Sequence, residues 1–142
     1  MSVTTIEKFA LGIAGLTAVG IGGFILVAPH AFFASYGIAL GDDASLLSEL
    51  RAPAAGLLAF GVLMLAGIWR TAIAQVSKAV ALTVFIAFPA GRVLGLIVDG
   101  WPSTPILAAL IFEVAVAALC IVTFSGRFAP ARAILSGARP KH

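Results

Sequence analysis

The apolar positions of this chain fall into four runs of about one membrane crossing each, separated by short polar breaks. The first runs from Phe9 to Ala28 and is closed by Pro29. The second, Ala52 to Trp69, follows Gly41-Asp42-Asp43 and ends at Arg70. The third, Ala79 to Val98, lies between Ser77-Lys78 and Asp99-Gly100, and the fourth extends from Pro105 to Phe124. About 20 apolar residues suffice to cross a bilayer as a helix, so the pattern predicts spans over about 9–28, 46–69, 78–98 and 105–124. Asp43 or Ser45 can cap the second helix, which then begins before Glu49 and bends at Pro53. Pro105 suits a first helical turn. The first run is too long for the apolar core of a signal peptide, about 7–15 residues, and only Lys8, preceded by Glu7, stands before it. It reads as an uncleaved span.

Composition changes the solvent. Of 142 residues, 61% are hydrophobic and 11% charged, and the mean hydropathy is +1.13. Soluble domains run near 45–50% apolar and about 25% charged, so water is excluded as the medium of this fold. Disorder, a disulfide scaffold and most soluble enzymes fall with it. The expectation is one domain over residues 1–142, all-α, an integral membrane antiparallel four-helix bundle.

Alternating spans sort the charges by side. Lys8, Arg70, Lys78, Arg127, Arg132, Arg139 and Lys141 share the side of the termini, while Asp42, Asp43, Glu49 and Asp99 lie opposite with only Arg51 as a basic group. The positive-inside rule puts both termini in the cytoplasm. The net charge of +3 therefore reads as topology and not as a nucleic-acid surface. The basic tail 126–142 is expected near anionic headgroups. On the other side, Ala31-Phe32-Phe33-Ala34-Ser35-Tyr36-Gly37 suits a short interfacial helix over about 31–36, covering the outer mouth of the bundle.

Helices in lipid approach closely at small residues. Gly12, Gly15, Ala18 and Gly22 offer such a face on the first span, and Ala52, Gly56, Ala59 and Ala66 on the second. No internal repeat points to an inverted-repeat transporter.

The informative charges are those inside the apolar runs. Arg92 lies seven residues before Asp99, and Glu113 eight after Pro105. At 1.5 Å per residue both sit roughly 10–12 Å inside the outer end, at matching depth on consecutive antiparallel helices. A lone charge at the centre of a span costs about 2.5–3.5 kcal/mol on insertion scales, so a bidentate Arg92–Glu113 pair is expected. Glu49 shares a helical face with Ala52, Pro53 and Gly56 and is the expected inward group, whereas Arg51 points away and reaches headgroups with its long stem. The result is an outward-facing polar cluster of Glu49, Arg92, Asp99 and Glu113, with Arg51, Phe85 and Pro89 at its periphery. Pro89 removes a helix hydrogen bond and leaves the Phe85 carbonyl available. The cluster can be a network that fixes helix register, or a site for an amphiphile or a proton carried on Glu49 or Glu113.

Other chemistry is poorly served. A thiol relay needs two sulfurs, and Cys120 stands alone as a packing residue. His30 and His142 are expected on opposite sides, so no metal or haem site is expected from them, and no cofactor is implied. Ser103, in Trp101-Pro102-Ser103-Thr104-Pro105, reads as a turn and helix cap rather than a nucleophile. No catalytic residue is assigned.

Glu49-Leu50-Arg51-Ala52, Gly91-Arg92, Asp99-Gly100-Trp101-Pro102-Ser103 and Glu113 together resemble a family of small bacterial four-helix membrane proteins catalogued as a domain of unknown function. The likeness covers roughly Phe9 to Phe124. It implies a fold and a bacterial inner-membrane setting, and no reaction. A looser likeness to DoxX-type membrane bundles suggests a quinone-linked or redox partner, on architecture alone. The leading expectation is a non-enzymatic protein that binds a small amphiphile, lipid or quinone-like, or a partner helix at the polar cluster, with Arg92 as the anion-facing anchor. The alternatives are an accessory subunit of a larger membrane complex, in which the ion pair is structural, and a membrane-embedded enzyme or proton-coupled carrier. A homo-oligomer is compatible with the small-residue faces.

Overall fold

The computed structural model describes residues 3–125, and the basic tail expected over 126–142 lies outside them. The described residues form five α-helices and no strand: α1 (Thr5–Val27), α2 (Pro29–Ala34), α3 (Ala44–Trp69), α4 (Ala74–Val98) and α5 (Thr104–Ser125), with a 3-10 turn at Thr71–Ile73 before α4. Four of these, with that turn counted in the third, are long and apolar enough to cross a membrane. Only 22–33% of each apolar stretch is buried inside the bundle. The outward faces therefore carry exposed Leu16, Val62, Ile111 and Val122, an arrangement that needs hydrocarbon around it.

Local chemistry sets the helix ends. Thr4 and Glu7 form a reciprocal capping box at the start of α1, satisfying two of the amide donors that every helix leaves unpaired. Asp43 caps α3 through a bond from the Leu46 amide at 2.8 Å. Pro29 opens α2 at the first helical position, where its missing N–H is harmless. The segment beyond α2 closes on Gly37 at φ +77°, with the Gly37 amide donating to Ala34 and the Ile38 amide to Phe33. Those two bonds and the left-handed glycine make a Schellman stop.

The long helices run antiparallel in chain order, and glycine governs the closest approaches. A Cβ added at Gly22 would lie 2.6 Å from the Ala54 carbonyl oxygen, and one at Gly61 would lie 2.7 Å from the Val19 nitrogen. At Gly15 it would meet Leu65 and the Gly61 carbonyl, and at Gly67 it would collide with Ser77. Gly15 and Gly22 are thus contact residues, as the first span's small face predicts. On α3 the contact stripe is Ala54, Leu57, Gly61, Met64 and Gly67. The stripe expected from Ala52, Gly56, Ala59 and Ala66 is displaced around the helix: Ala52 and Ala59 are exposed, and a Cβ on Gly56 would meet nothing within 4 Å. Large Leu57 and Met64 belong to the packed face because they fill the space beside the glycines. The core is completed by Leu11, Ala14, Ala18, Ala81, Phe85, Val116, Cys120 and Phe124.

Candidate functional site

Arg92 and Glu113 face each other across α4 and α5. Arg92 Nε donates to Glu113 Oε2 at 2.9 Å and Nη2 donates to Oε1 at 3.0 Å, the two-pronged geometry that a planar guanidinium forms with a carboxylate. The carboxylate is enclosed, with 5% of its side chain exposed, whereas the guanidinium side chain keeps 30%. Arg92 is therefore a fixed cation with one open side. Two of its five N–H groups are engaged, which leaves three for another acceptor.

The open side borders several hollows. A cavity of about 250 Å³ lies between the end of α4 and the start of α5, lined by Arg92, Gly95, Asp99, Trp101, Leu107 and Leu110 among others. Its walls are mainly apolar, with charge confined to Arg92 and Asp99. A smaller internal space of about 40 Å³, room for about a single water, touches Thr17, Phe85, Arg92 and Glu113. A third of about 220 Å³ runs beneath α2, between Ile21, Phe33, Leu50, Pro53, Phe88 and Arg92. Arg92 borders all three.

The aromatic segment forms the roof. Phe32 packs edge-on against Phe24 and Phe33, with ring centroids 5.5 and 5.3 Å apart, and lies 5.2 Å from Tyr36. Ser103 Oγ donates to the Tyr36 carbonyl at 2.8 Å, tying the roof to the α4–α5 turn. Ser103 occupies the cap position before α5, and its carbonyl accepts from the Ile106 and Leu107 amides. Its hydroxyl serves the neighbouring segment instead of capping its own helix, a long-range use that spacing alone does not reveal.

Of the expected cluster, Asp99, Arg92 and Glu113 fall in line from mouth to interior. Glu49 does not join them. It is exposed and lines none of the three cavities. The cause is rotational: Leu47, Leu50, Ala54 and Leu57 carry the inward stripe of α3, and Glu49 sits about 100° from Leu50. Arg51 does not extend away either, because its Nε donates to the Leu26 carbonyl at 3.2 Å. That carbonyl belongs to the last turn of α1, where unpaired acceptors and the helix dipole attract a cation. Phe85 and Pro89 are buried in α4, and Phe85 lines the internal space. His30 Nε2 lies 3.2 Å from Asp42 at the exposed mouth. Cys120 is a buried free thiol, and no group of three metal-ligating side chains occurs among the described residues.

A second ion pair escaped sequence reasoning. At the opposite end of the bundle Lys78 Nζ donates to Glu7 Oε1 at 2.5 Å, with 6% and 2% of the two side chains exposed. The other carboxylate oxygen of Glu7 accepts from the Thr4 amide and hydroxyl. Lys78 also stands 5.8 Å from the centre of the Phe124 ring, a cation–π distance. The signal was available in Thr4-Thr5-Ile6-Glu7, a capping-box pattern, but Lys78 reads as one of several flanking cations.

A family model for a domain of unknown function, DUF4345, matches residues 6–124. The chain belongs to this DUF4345 family. The match takes in all but the outermost residues of the four long helices, with the Lys78–Glu7 and Arg92–Glu113 pairs inside it. No curated protein and no solved structure matches the chain significantly.

Proposed function

We propose that this DUF4345 protein is a non-enzymatic membrane protein that binds a small amphiphile, lipid or quinone-like, at Arg92. The observation that supports this most is the half-satisfied guanidinium. Glu113 fixes it, and Arg92 lines a cavity whose walls are apolar apart from Arg92 and Asp99, the combination of a few placed polar groups and a greasy lining that small-ligand sites use. The basic residues of the terminal side support a cytoplasmic placement of both termini, with the mouth outward. Native mass spectrometry of gently extracted protein tests the reading. A retained amphiphile in the wild type, lost in a folded Arg92→Leu variant, is the expected result. Empty wild-type protein with an Arg92→Leu variant of unchanged behaviour overturns it.

An accessory-subunit role is the second reading, favoured by the Glu7–Lys78 pair. That pair is enclosed and lies apart from the three cavities around Arg92, and Arg92–Glu113 can serve the same structural end. Under this reading a defined membrane partner co-purifies in fixed ratio, and Arg92→Leu does not alter that ratio as long as the bundle folds.

A further inference from the structure

The charge balance around the cavity says which headgroup it accepts. The positive charge of Arg92 is matched by Glu113 at hydrogen-bond distance. Asp99, on the wall of the same cavity, has no ion-pair partner among the described residues and is exposed. The three groups together therefore carry a net negative charge. The surrounding mouth continues the trend, with Asp42, Asp43 and Glu49 against Arg51. Asp99 is also badly placed for stability. It caps the C-terminus of α4, where the helix dipole disfavours a carboxylate.

We propose that the cavity takes an uncharged amphiphile whose headgroup offers both a carbonyl and a hydroxyl, as a monoacylglycerol does, and turns away anionic amphiphiles. This rests on the amphiphile reading above and revises the role of Arg92, whose charge is already spent on Glu113. The carbonyl oxygen accepts from the free N–H groups of Arg92. The hydroxyl donates to Asp99. The chain then lies against Leu96, Leu107 and Leu110. An anion in the same place gains one cation that Glu113 already neutralises and meets the unpaired Asp99 carboxylate on the same wall, a like-charge contact that costs binding.

The test uses Trp101, which lines the cavity, as reporter in a Trp69→Phe protein, since the chain has two tryptophans. Chain-brominated monolaurin and chain-brominated laurate are titrated into the detergent-solubilised protein at about pH 9, where a carboxylic acid is ionised. The expected result is saturable quenching by monolaurin, with laurate about tenfold weaker or more, and a smaller gap between the two in Asp99→Asn. Because Asp99 is exposed and opposes the helix dipole, that variant keeps the fold. Laurate binding as tightly as monolaurin, or an unchanged gap in Asp99→Asn, overturns the charge-selection inference and leaves amphiphile binding standing. Saturable quenching by neither probe overturns this inference, and when the native mass spectrum of the wild type is also empty the amphiphile reading falls with it.

Discussion

Lys78 and Glu7 are separated by 71 positions in sequence and meet in an ion pair enclosed at the terminal end of the bundle. The pair joins α1 to α4, helices that are not neighbours in the chain, and Glu7 simultaneously completes the cap of α1. Removing one partner strands the other charge away from water, a change that typically costs about 3–5 kcal/mol. Glu7→Leu is expected to be worse than Lys78→Met because it also removes the carboxylate oxygen that accepts from the Thr4 amide and hydroxyl, by about 1 kcal/mol. The double variant is expected to recover part of the loss. Denaturant unfolding in micelles, followed by circular dichroism, measures all three; a double variant with fully additive losses contradicts the pairing.

Arg92 and Glu113 should behave differently, because one of them has access to solvent or ligand. Glu113→Leu leaves a cation that can turn toward the open cavity, so its loss is expected to be about 1–3 kcal/mol. Arg92→Leu strands a carboxylate that is 5% exposed and is expected to cost more, about 3–5 kcal/mol. The same unfolding assay ranks them, and equal losses would show that the cavity gives Arg92 no relief.

Glycine substitutions discriminate the true contact stripe. Gly22→Ala and Gly61→Ala place a methyl against backbone on the opposing helix, where nothing can move aside cheaply. Each is expected to destabilise by about 1–3 kcal/mol. Gly20→Ala and Gly56→Ala enter open space and are expected to be neutral or stabilising by up to about 1 kcal/mol, since alanine is the better helix former. Thermal unfolding midpoints of the four variants settle the order.

The Ser103–Tyr36 bond is a local fastener. Ser103→Ala removes about 0.5–1.5 kcal/mol of interaction from a segment outside the buried core, where local opening is expected to precede global unfolding. Amide exchange is expected to quicken at Gly37 and Ile38, with little change at Leu11 or Phe85. Uniform acceleration across the bundle would mean the fastener holds the whole fold.

The four long helices were legible because apolar run length is a one-dimensional property, and a bilayer demands about 20 residues whatever the packing. Arg92 opposite Glu113 was legible for a related reason, since depth follows from counting residues from a turn. Rotation was not. On α3 the small-residue face and the inward Glu49 both differ from the structure by the same one-residue step of helical phase, because Leu57 and Met64 share the contact side with Gly61 and Gly67. On a helix apolar all around, hydropathy contains little phase information. The Lys78 partnership was hidden for another reason: charges were sorted by side, and sorting by side cannot tell a solvated flank from an enclosed pair.

The positions of the two cations on α4 restrict which parts of the bundle can move. Lys78 and Arg92 are 14 residues apart, so they rise about 21 Å along the axis and return to within about 40° of the same face. One is moored to α1 and the other to α5. Rolling α4 about its axis, or sliding it, would unseat both moorings together. α4 is thus clamped near both ends, to α1 on the side of the termini and to α5 beside the cavity that Arg92 lines.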